Sequence, residues 1–331
     1  MSNPRFRAFF RRWGLSLVAV FVFGVLLTRA GEIDWSGAWK ALGRYEPMLL
    51  LQVMALAMAS HMLYGCFDLI GRKHSGHRLP RLQTWCIAMT SYAFTLNLGS
   101  LIGSIGARLR LYTRAGVDQV AIAQIVAVSV SANWMGYGLV AGGLFASGAI
   151  SPPPQTGVGA TALRALGIGM VALAGTYVLV CALAKARAWQ VGWRQVRVPS
   201  LRVAVLQLGL GAINWSIMGA AMYLLLGAAV PYPTTLAVLM AASILGVIAP
   251  VPAGLGVLEA VYLMLLSGTV PQSALMGAVL AYRALYYLVP FANGLLLYLG
   301  LESYAARCVR QSIGSGTPTT KPADEEKCHA K

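Results

Sequence analysis

The sequence predicts an all-α polytopic membrane protein of about six full spans plus two broken, re-entrant helical hairpins in two inverted halves. Hydrophobic residues make up 58% of its 331 positions and charged residues only 11%, against roughly a quarter charged in a soluble domain. The apolar residues fall into runs of the ~20 residues that a membrane-crossing helix needs. Two runs are interrupted by clusters of Gly and Pro, which release backbone groups that hydrocarbon cannot satisfy.

The first run, 13–30, follows Arg5, Arg7, Arg11 and Arg12. It has the outline of a signal peptide, but no small-x-small cleavage site follows, so it reads as a retained first span. Continuous runs at 47–70, 118–146, 161–184, 203–229 and 273–300 supply the other full spans. The run at 82–112 is broken between Asn97 and Gly106, with Gly99, Gly103 and Gly106 spaced through the break. The run at 234–267 is broken at Pro250, Pro252, Gly254 and Gly256. Its first arm, Thr234 to Ala249, covers about 24 Å at ~1.5 Å per residue, short of a roughly 30 Å hydrocarbon core. It enters and turns back. The chain divides into a first membrane half at 1–155, a second at 156–302 and a polar tail at 303–331 that reads as disordered and cytoplasmic.

The formal net charge of +16 comes from 26 Lys and Arg against 10 Asp and Glu. These charges lie between apolar runs, where they direct topology and attract anionic headgroups. Nucleic-acid binding would want a basic face on a soluble domain and is excluded. With the N-terminus inside and both broken runs returning to their side of entry, the cytoplasmic segments hold 21 of the 26 basic residues. If both broken runs crossed instead, Arg108, Arg110 and Arg114 would move outside, against the positive-inside rule. Each half then reads span, span, hairpin, span, in opposite orientations. Many transporters use such an inverted repeat for alternating access.

Glu259 follows the second break inside an apolar segment, where an ionisable group is costly unless paired. It could take a proton, neutralise a cationic headgroup or gate a cavity; the alternative is a structural ion pair with Arg283. Arg283 sits about 15 Å into its span, too deep to snorkel easily. Tyr282 and Tyr286 share one helical face, and Tyr287 is four residues from Arg283. A guanidinium with nearby phenols suits a phosphate headgroup. Arg108 and Arg110, two apart, point about 200° from each other, so both cannot face one cavity: either one binds headgroup phosphate while the other reaches the interface, or the two form an interfacial pair that anchors the hairpin. Asn133 and Asn214 place an amide in each of two spans, for interhelical hydrogen bonds or cavity lining, and Gln207 shares a face with Asn214. Asp68, beside Arg72 and Lys73, reads as an interfacial salt-bridge residue. His61 could titrate within its span.

The five cysteines are scattered without a C-x-x-C pair, against both disulfides and zinc. His74 and His77 sit in a basic loop without metal-ligand spacing. No H-E-x-x-H, G-x-S-x-G, Walker A or dinucleotide signature is present, so the expectation is a non-enzyme with no metal and no cofactor.

The segment from Asn97 to Tyr112, the segment from Ala249 to Glu259 and the later Tyr282-Arg283 together resemble the lysylphosphatidylglycerol synthase transmembrane-region family, particularly its stand-alone, YbhN-like inner-membrane members. The likeness covers about residues 10–302. In that family the membrane region, when fused to a cytosolic aminoacyl-transfer domain, looks like a flippase that moves the aminoacylated lipid outward. No such domain is expected within these 331 residues. The resemblance implies lipid translocation without aminoacylation, and it marks Gly106-Ala107-Arg108 and Gly256-Val257-Leu258-Glu259 as functional positions. Ala253 stands where a Gly-Gly pair is more typical.

The reading is a lipid transporter or flippase of the bacterial inner membrane with both termini cytoplasmic. Arg108, Arg110 and Arg283 would contact headgroup phosphate and Glu259 would gate or couple protons. Its partners would be anionic membrane lipids, with a second copy of the chain or a cell-envelope lipid enzyme as protein partner. The rivals are an intramembrane lipid- or polyprenyl-modifying enzyme and a non-transporting membrane subunit.

Overall fold

The computed structural model describes residues 40, 43–99, 101–150, 159–184, 188–191, 194–248 and 254–314. The expected first span at 13–30, both hairpin prolines and the end of the tail lie outside them. Five helices are long and apolar enough to cross a membrane. They fall on the five continuous runs that the sequence offers after residue 46.

Local chemistry sets the helix ends. Helix α1, Pro47–Ser75, begins with a proline in its first turn, where the missing N–H costs nothing, and stops at Gly76 with φ 74°. After α2, Arg81–Leu98, come a π-helical segment, Leu101–Ala107, and α3, Arg108–Arg114. Helix α4, Gln119–Ser147, is capped by Asp118, which accepts from the Val120 amide, and ends at Gly148 with φ 76°. Helix α5, Ala160–Leu183, precedes two four-residue antiparallel strands, β1 Ala188–Val191 and β2 Arg194–Arg197. This small hairpin lies in the connection between α5 and the next long helix. Helix α6, Leu201–Leu225, starts at Ser200, whose hydroxyl accepts from the Val203 amide. Helix α7, Tyr232–Ile248, and α8, Val257–Leu266, follow. The last run comprises α9, Gln272–Tyr282, a second π-helical segment, Arg283–Leu288, and α10, Val289–Gly314.

Both broken runs fold back on themselves. In the first, Gly99 turns with φ 85°. A Cβ built on Gly103 would lie 2.0 Å from the Thr95 amide nitrogen, so the return arm touches α2 backbone to backbone. Farther down, the Tyr112 hydroxyl lies 3.5 Å from the Thr84 carbonyl oxygen. In the second hairpin Gly254 and Gly256 take φ 58° and 80°. Gly254 faces Gly246, and the Tyr262 hydroxyl donates to the Thr235 carbonyl at 3.3 Å. Helix α8 has 10 residues, about 15 Å long, and cannot cross a roughly 30 Å core alone.

Helix α1 packs on α2, α4 and α6, and α4 packs on α5 and α6. The α4–α6 crossing is close: a Cβ on Gly136 would meet the Gly211 Cα at 2.4 Å. Small residues allow such close approach between membrane helices, where packing and not solvent exclusion drives association. The largest apolar core gathers α6 to α9 with faces of α1 and α4, around Met222, Leu239, Met240, Tyr262 and Leu275. Among the described residues the two hairpins do not pack extensively on each other; α2 reaches instead to the second π-helical segment and to α10.

The helix continues to Gly314, twelve residues beyond the point where composition places the start of a disordered tail. Glu302, just before this extension, pairs with Arg110 at 2.9 Å and with Arg114, which anchors the helix to the first hairpin.

Candidate functional site: two ion pairs joined by tyrosines

Arg108 is the first residue after the Leu101–Ala107 π-helical segment, and it is completely buried. Its Nε donates to Asp68 Oδ2 at 2.9 Å and its Nη2 to Asp68 Oδ1 at 3.0 Å. The remaining donors reach the Ser104 carbonyl and hydroxyl at 3.1 and 3.2 Å and the Ser129 hydroxyl at 3.1 Å. Tyr112 donates a second bond to Asp68, at 2.9 Å. A charge taken out of water survives only when its whole hydrogen-bonding capacity is met, and here each guanidinium nitrogen has an acceptor. The expectation that Asp68 is interfacial is therefore corrected. Its neighbour Arg72 turns to the loop and donates to the Leu79 carbonyl at 2.6 Å, while Asp68 points inward with no exposed side-chain surface.

The second pair joins the other hairpin to the following helix. Arg283 Nε donates to Glu259 Oε1 at 2.5 Å and Nη2 to Oε2 at 2.9 Å, a two-toothed fork. Nη2 also donates to the Gly254 carbonyl at 2.8 Å, a backbone oxygen at the break of the hairpin. One side chain thus holds both the acid of the return arm and the exposed end of the broken helix. This pair is less enclosed than the first, with side-chain exposures of 9% and 16%.

Tyrosines connect the two pairs. The Arg108 guanidinium lies 5.8 Å from the Tyr64 ring, and Tyr64 stacks on Tyr92 at 3.8 Å between centroids. The Tyr92 hydroxyl is 3.3 Å from that of Tyr286. Tyr286 stacks on Tyr282 at 5.0 Å and meets the edge of Tyr287 at 6.1 Å. Tyr287 in turn lies 5.7 Å from the Arg283 guanidinium. Beside this column, the Ser60 hydroxyl donates to Asn214 Oδ1 at 2.7 Å and lies 2.5 Å from the Tyr286 hydroxyl, tying α1, α6 and the second π-helical segment together.

The other sequence candidates are distributed differently. Arg110 points away from Arg108 to Glu302, as the spacing requires. Asn133 contributes its backbone carbonyl, which accepts from the Trp215 indole N–H at 3.4 Å. Gln207 donates to the Val128 carbonyl at 3.2 Å and accepts from Tyr177 at 2.6 Å, one interhelical clasp. Gly106 lies in the first π-helical segment. Sequence reasoning did not single out Ser60, Tyr64, Tyr92, Ser104 or Ser129. A signal for part of the set was present: Ser60, Tyr64 and Asp68 recur every four residues in α1 and form one polar stripe in an apolar helix.

Comparison with known proteins places this architecture. The inner membrane protein YbhN of Escherichia coli is 40% identical over 309 residues, covering 92% of this chain and 96% of that protein. A Synechocystis protein, slr0712, is 26% identical over 281 residues, covering 84% of this chain and 87% of that one. Residues 13–294 match the family described as the lysylphosphatidylglycerol synthase TM region. This polytopic helical membrane protein belongs to the lysylphosphatidylglycerol synthase TM region family.

Proposed function

We propose that this protein moves an anionic phospholipid, or a related anionic lipid, between the leaflets of a bacterial inner membrane, with no covalent chemistry of its own. The observation that carries the reading is the Glu259–Arg283 fork closed over the Gly254 carbonyl. A phosphodiester presents two oxygens to a guanidinium much as a carboxylate does. A headgroup arriving at the break competes with Glu259 for Arg283. Its binding releases Gly254 and frees α8 to move.

In each proposed half a charge on the hairpin's return arm is paired with a charge on a long helix. In the first, the acid Asp68 is on the long helix before the hairpin and the arginine is on the return arm. In the second, the acid Glu259 is on the return arm and Arg283 is on the long helix after it. In the proposed cycle the sealed Arg108 pair and the partly open Arg283 pair exchange states, as alternating access requires. Both termini are cytoplasmic in this scheme.

The test is leaflet sidedness of fluorescent phosphatidylglycerol and phosphatidylcholine in proteoliposomes, for the wild type and Glu259→Gln at equal protein density. Faster exchange of the anionic lipid, lost in the variant, is expected. No exchange of either lipid by the wild type, or full exchange by the variant, overturns the reading. Mass spectrometry of the same lipids distinguishes a lipid-modifying enzyme, which alters species and not only sidedness.

A further inference from the structure

His61 is the fifteenth of the 29 residues of α1 and is 1% exposed, so it lies near the middle of a membrane-length helix. Its Nδ1 is 2.8 Å from the Ala57 carbonyl oxygen. A carbonyl only accepts, so Nδ1 carries the hydrogen and Nε2 of the neutral ring carries a lone pair. That nitrogen is buried and has no hydrogen-bond partner among the described residues. Most buried polar side-chain atoms have a partner, because a buried unmet acceptor is destabilising.

The surroundings give Nε2 a use. His61 borders a crevice lined by Met58, Met89, Pro290, Asn293 and Leu297, too narrow for a water molecule in this conformation. On its other flank stand the rings of Tyr92 at 4.7 Å and Tyr286 at 5.4 Å, π-systems that favour a cation in a dry site. The ionisable groups against it are Tyr92 on α2 and Tyr286 on the second π-helical segment, with Tyr64 stacked on the first and Tyr282 on the second. Asp68, two turns along α1, is committed to Arg108 and Tyr112. Helix α6 offers Asn214 and α10 offers Asn293, neither of which titrates. Among the described residues no carboxylate lies within ion-pair distance of His61.

We propose that His61 is an occluded proton-binding site that couples a transmembrane proton gradient to the movement of the two halves; the coupling rests on the lipid-transport reading, the proton site does not. A proton enters through the crevice when it widens on one side and adds to the Nε2 lone pair. The imidazolium then carries a second N–H that has no acceptor in the present arrangement. It gains one by drawing the Tyr286 hydroxyl away from Ser60 and Tyr92, which loosens the link between α1, α2 and the segment bearing Arg283. The same proton leaves from Nε2 to the opposite side, and the ring returns to its neutral form. One proton crosses per cycle and no bond between heavy atoms changes.

The experiment uses the full-length protein in phosphatidylethanolamine–phosphatidylglycerol vesicles with fluorescent phosphatidylglycerol and a trapped pH dye, with and without a gradient of two pH units. In the wild type the gradient is expected to speed leaflet exchange several-fold, with lipid-dependent proton uptake. In His61→Gln, and independently in His61→Asn, the ratio of rates with and without the gradient falls to one, whatever the rate without it. A wild type that exchanges lipid at the same rate in both conditions, or variants that keep the acceleration, overturns the coupling. Nitrogen-15 histidine spectra of the same vesicles at pH 4 to 8 separate this failure from failure of the transport reading. The chain has only four histidines, so the signal lost in His61→Gln identifies the ring. Titration of that signal without lipid exchange keeps the proton site and removes lipid transport. Absence of titration removes the proton site.

Discussion

Arg108 is the first residue after one π-helical segment, and Arg283 is the first residue of the other. Each π turn holds one more residue than an α turn and leaves its hydrogen-bond ladder offset, which is why such segments gather at functional positions. Both deeply placed arginines thus sit where a helix changes pitch, and each is fixed by a carboxylate from another element. The consequences can be measured pair by pair.

Asp68→Asn is expected to destabilise the protein by about 3–5 kcal/mol, because it leaves Arg108 buried and unneutralised. Asp68→Asn combined with Arg108→Gln is expected to recover part of that loss. Thermal unfolding in detergent measures both, and a single variant that melts like the wild type contradicts the sealed-pair description.

At the second pair the expectation is the opposite balance. Arg283→Lys retains a positive charge but loses the fork and, with it, the simultaneous hold on Glu259 and Gly254. Lipid exchange is expected to fall at least tenfold while the melting temperature changes little, since this pair is partly open. Equal losses of stability and transport would assign Arg283 to structure alone.

Tyr286→Phe removes the hydroxyl between Ser60 and Tyr92 and keeps both ring stacks. A loss of about 1 kcal/mol is expected, the usual net value of one internal hydrogen bond. A cysteine pair reporting the distance between α1 and the Arg283 segment should show a broader distribution than the wild type. An unchanged distribution would mean that the hydroxyl does not hold these elements together.

Gly103→Leu should abolish folding of the first hairpin, because the new Cβ would meet the Thr95 backbone at 2.0 Å. Gly143→Leu, where a Cβ meets nothing within 4 Å, is the control. Comparable yields of folded protein from the two variants would show that the arms are farther apart than described.

His77, in the loop after α1, accepts a hydrogen bond from the Leu79 amide through Nδ1 at 3.2 Å, so that nitrogen must be unprotonated. Burial and then the nearby Arg72 lower its pKa below 6.5, against a smaller opposing pull from Asp68. The folded loop therefore binds protons less readily than an unfolded one, and it loses stability as the pH falls below 6.5. Hydrogen exchange at Leu79 is expected to quicken between pH 7 and pH 5 after correction for intrinsic rates, and His77→Ala should remove that dependence.

The five described spans were legible because hydropathy over ~20 residues is a strong signal, and the two turn-backs because Gly and Pro clusters mark them. The Glu259–Arg283 contact was legible for a related reason: each is a lone charge in an apolar run, and such charges find one another. Asp68 escaped because Arg72 and Lys73 stand next to it in the chain, whereas its partner is 40 residues away. The tyrosine column escaped because its central contact joins residues 194 apart, and aromatic residues in membrane helices carry no sign that pairs them. The strands of the small β-hairpin have four residues each, too few for alternation to stand out.

The Gly136–Gly211 crossing brings one long helix of each proposed half into contact with no side chain between them. Two cylinders touching at bare backbone cannot slide lengthwise without driving neighbouring side chains into each other. Four residues to either side of Gly211, the Gln207–Val128 and Trp215–Asn133 bonds pin the same two helices, so the crossing acts as a rivet rather than a hinge. A bulky residue at either glycine would force the rivet open and pull both bonds apart.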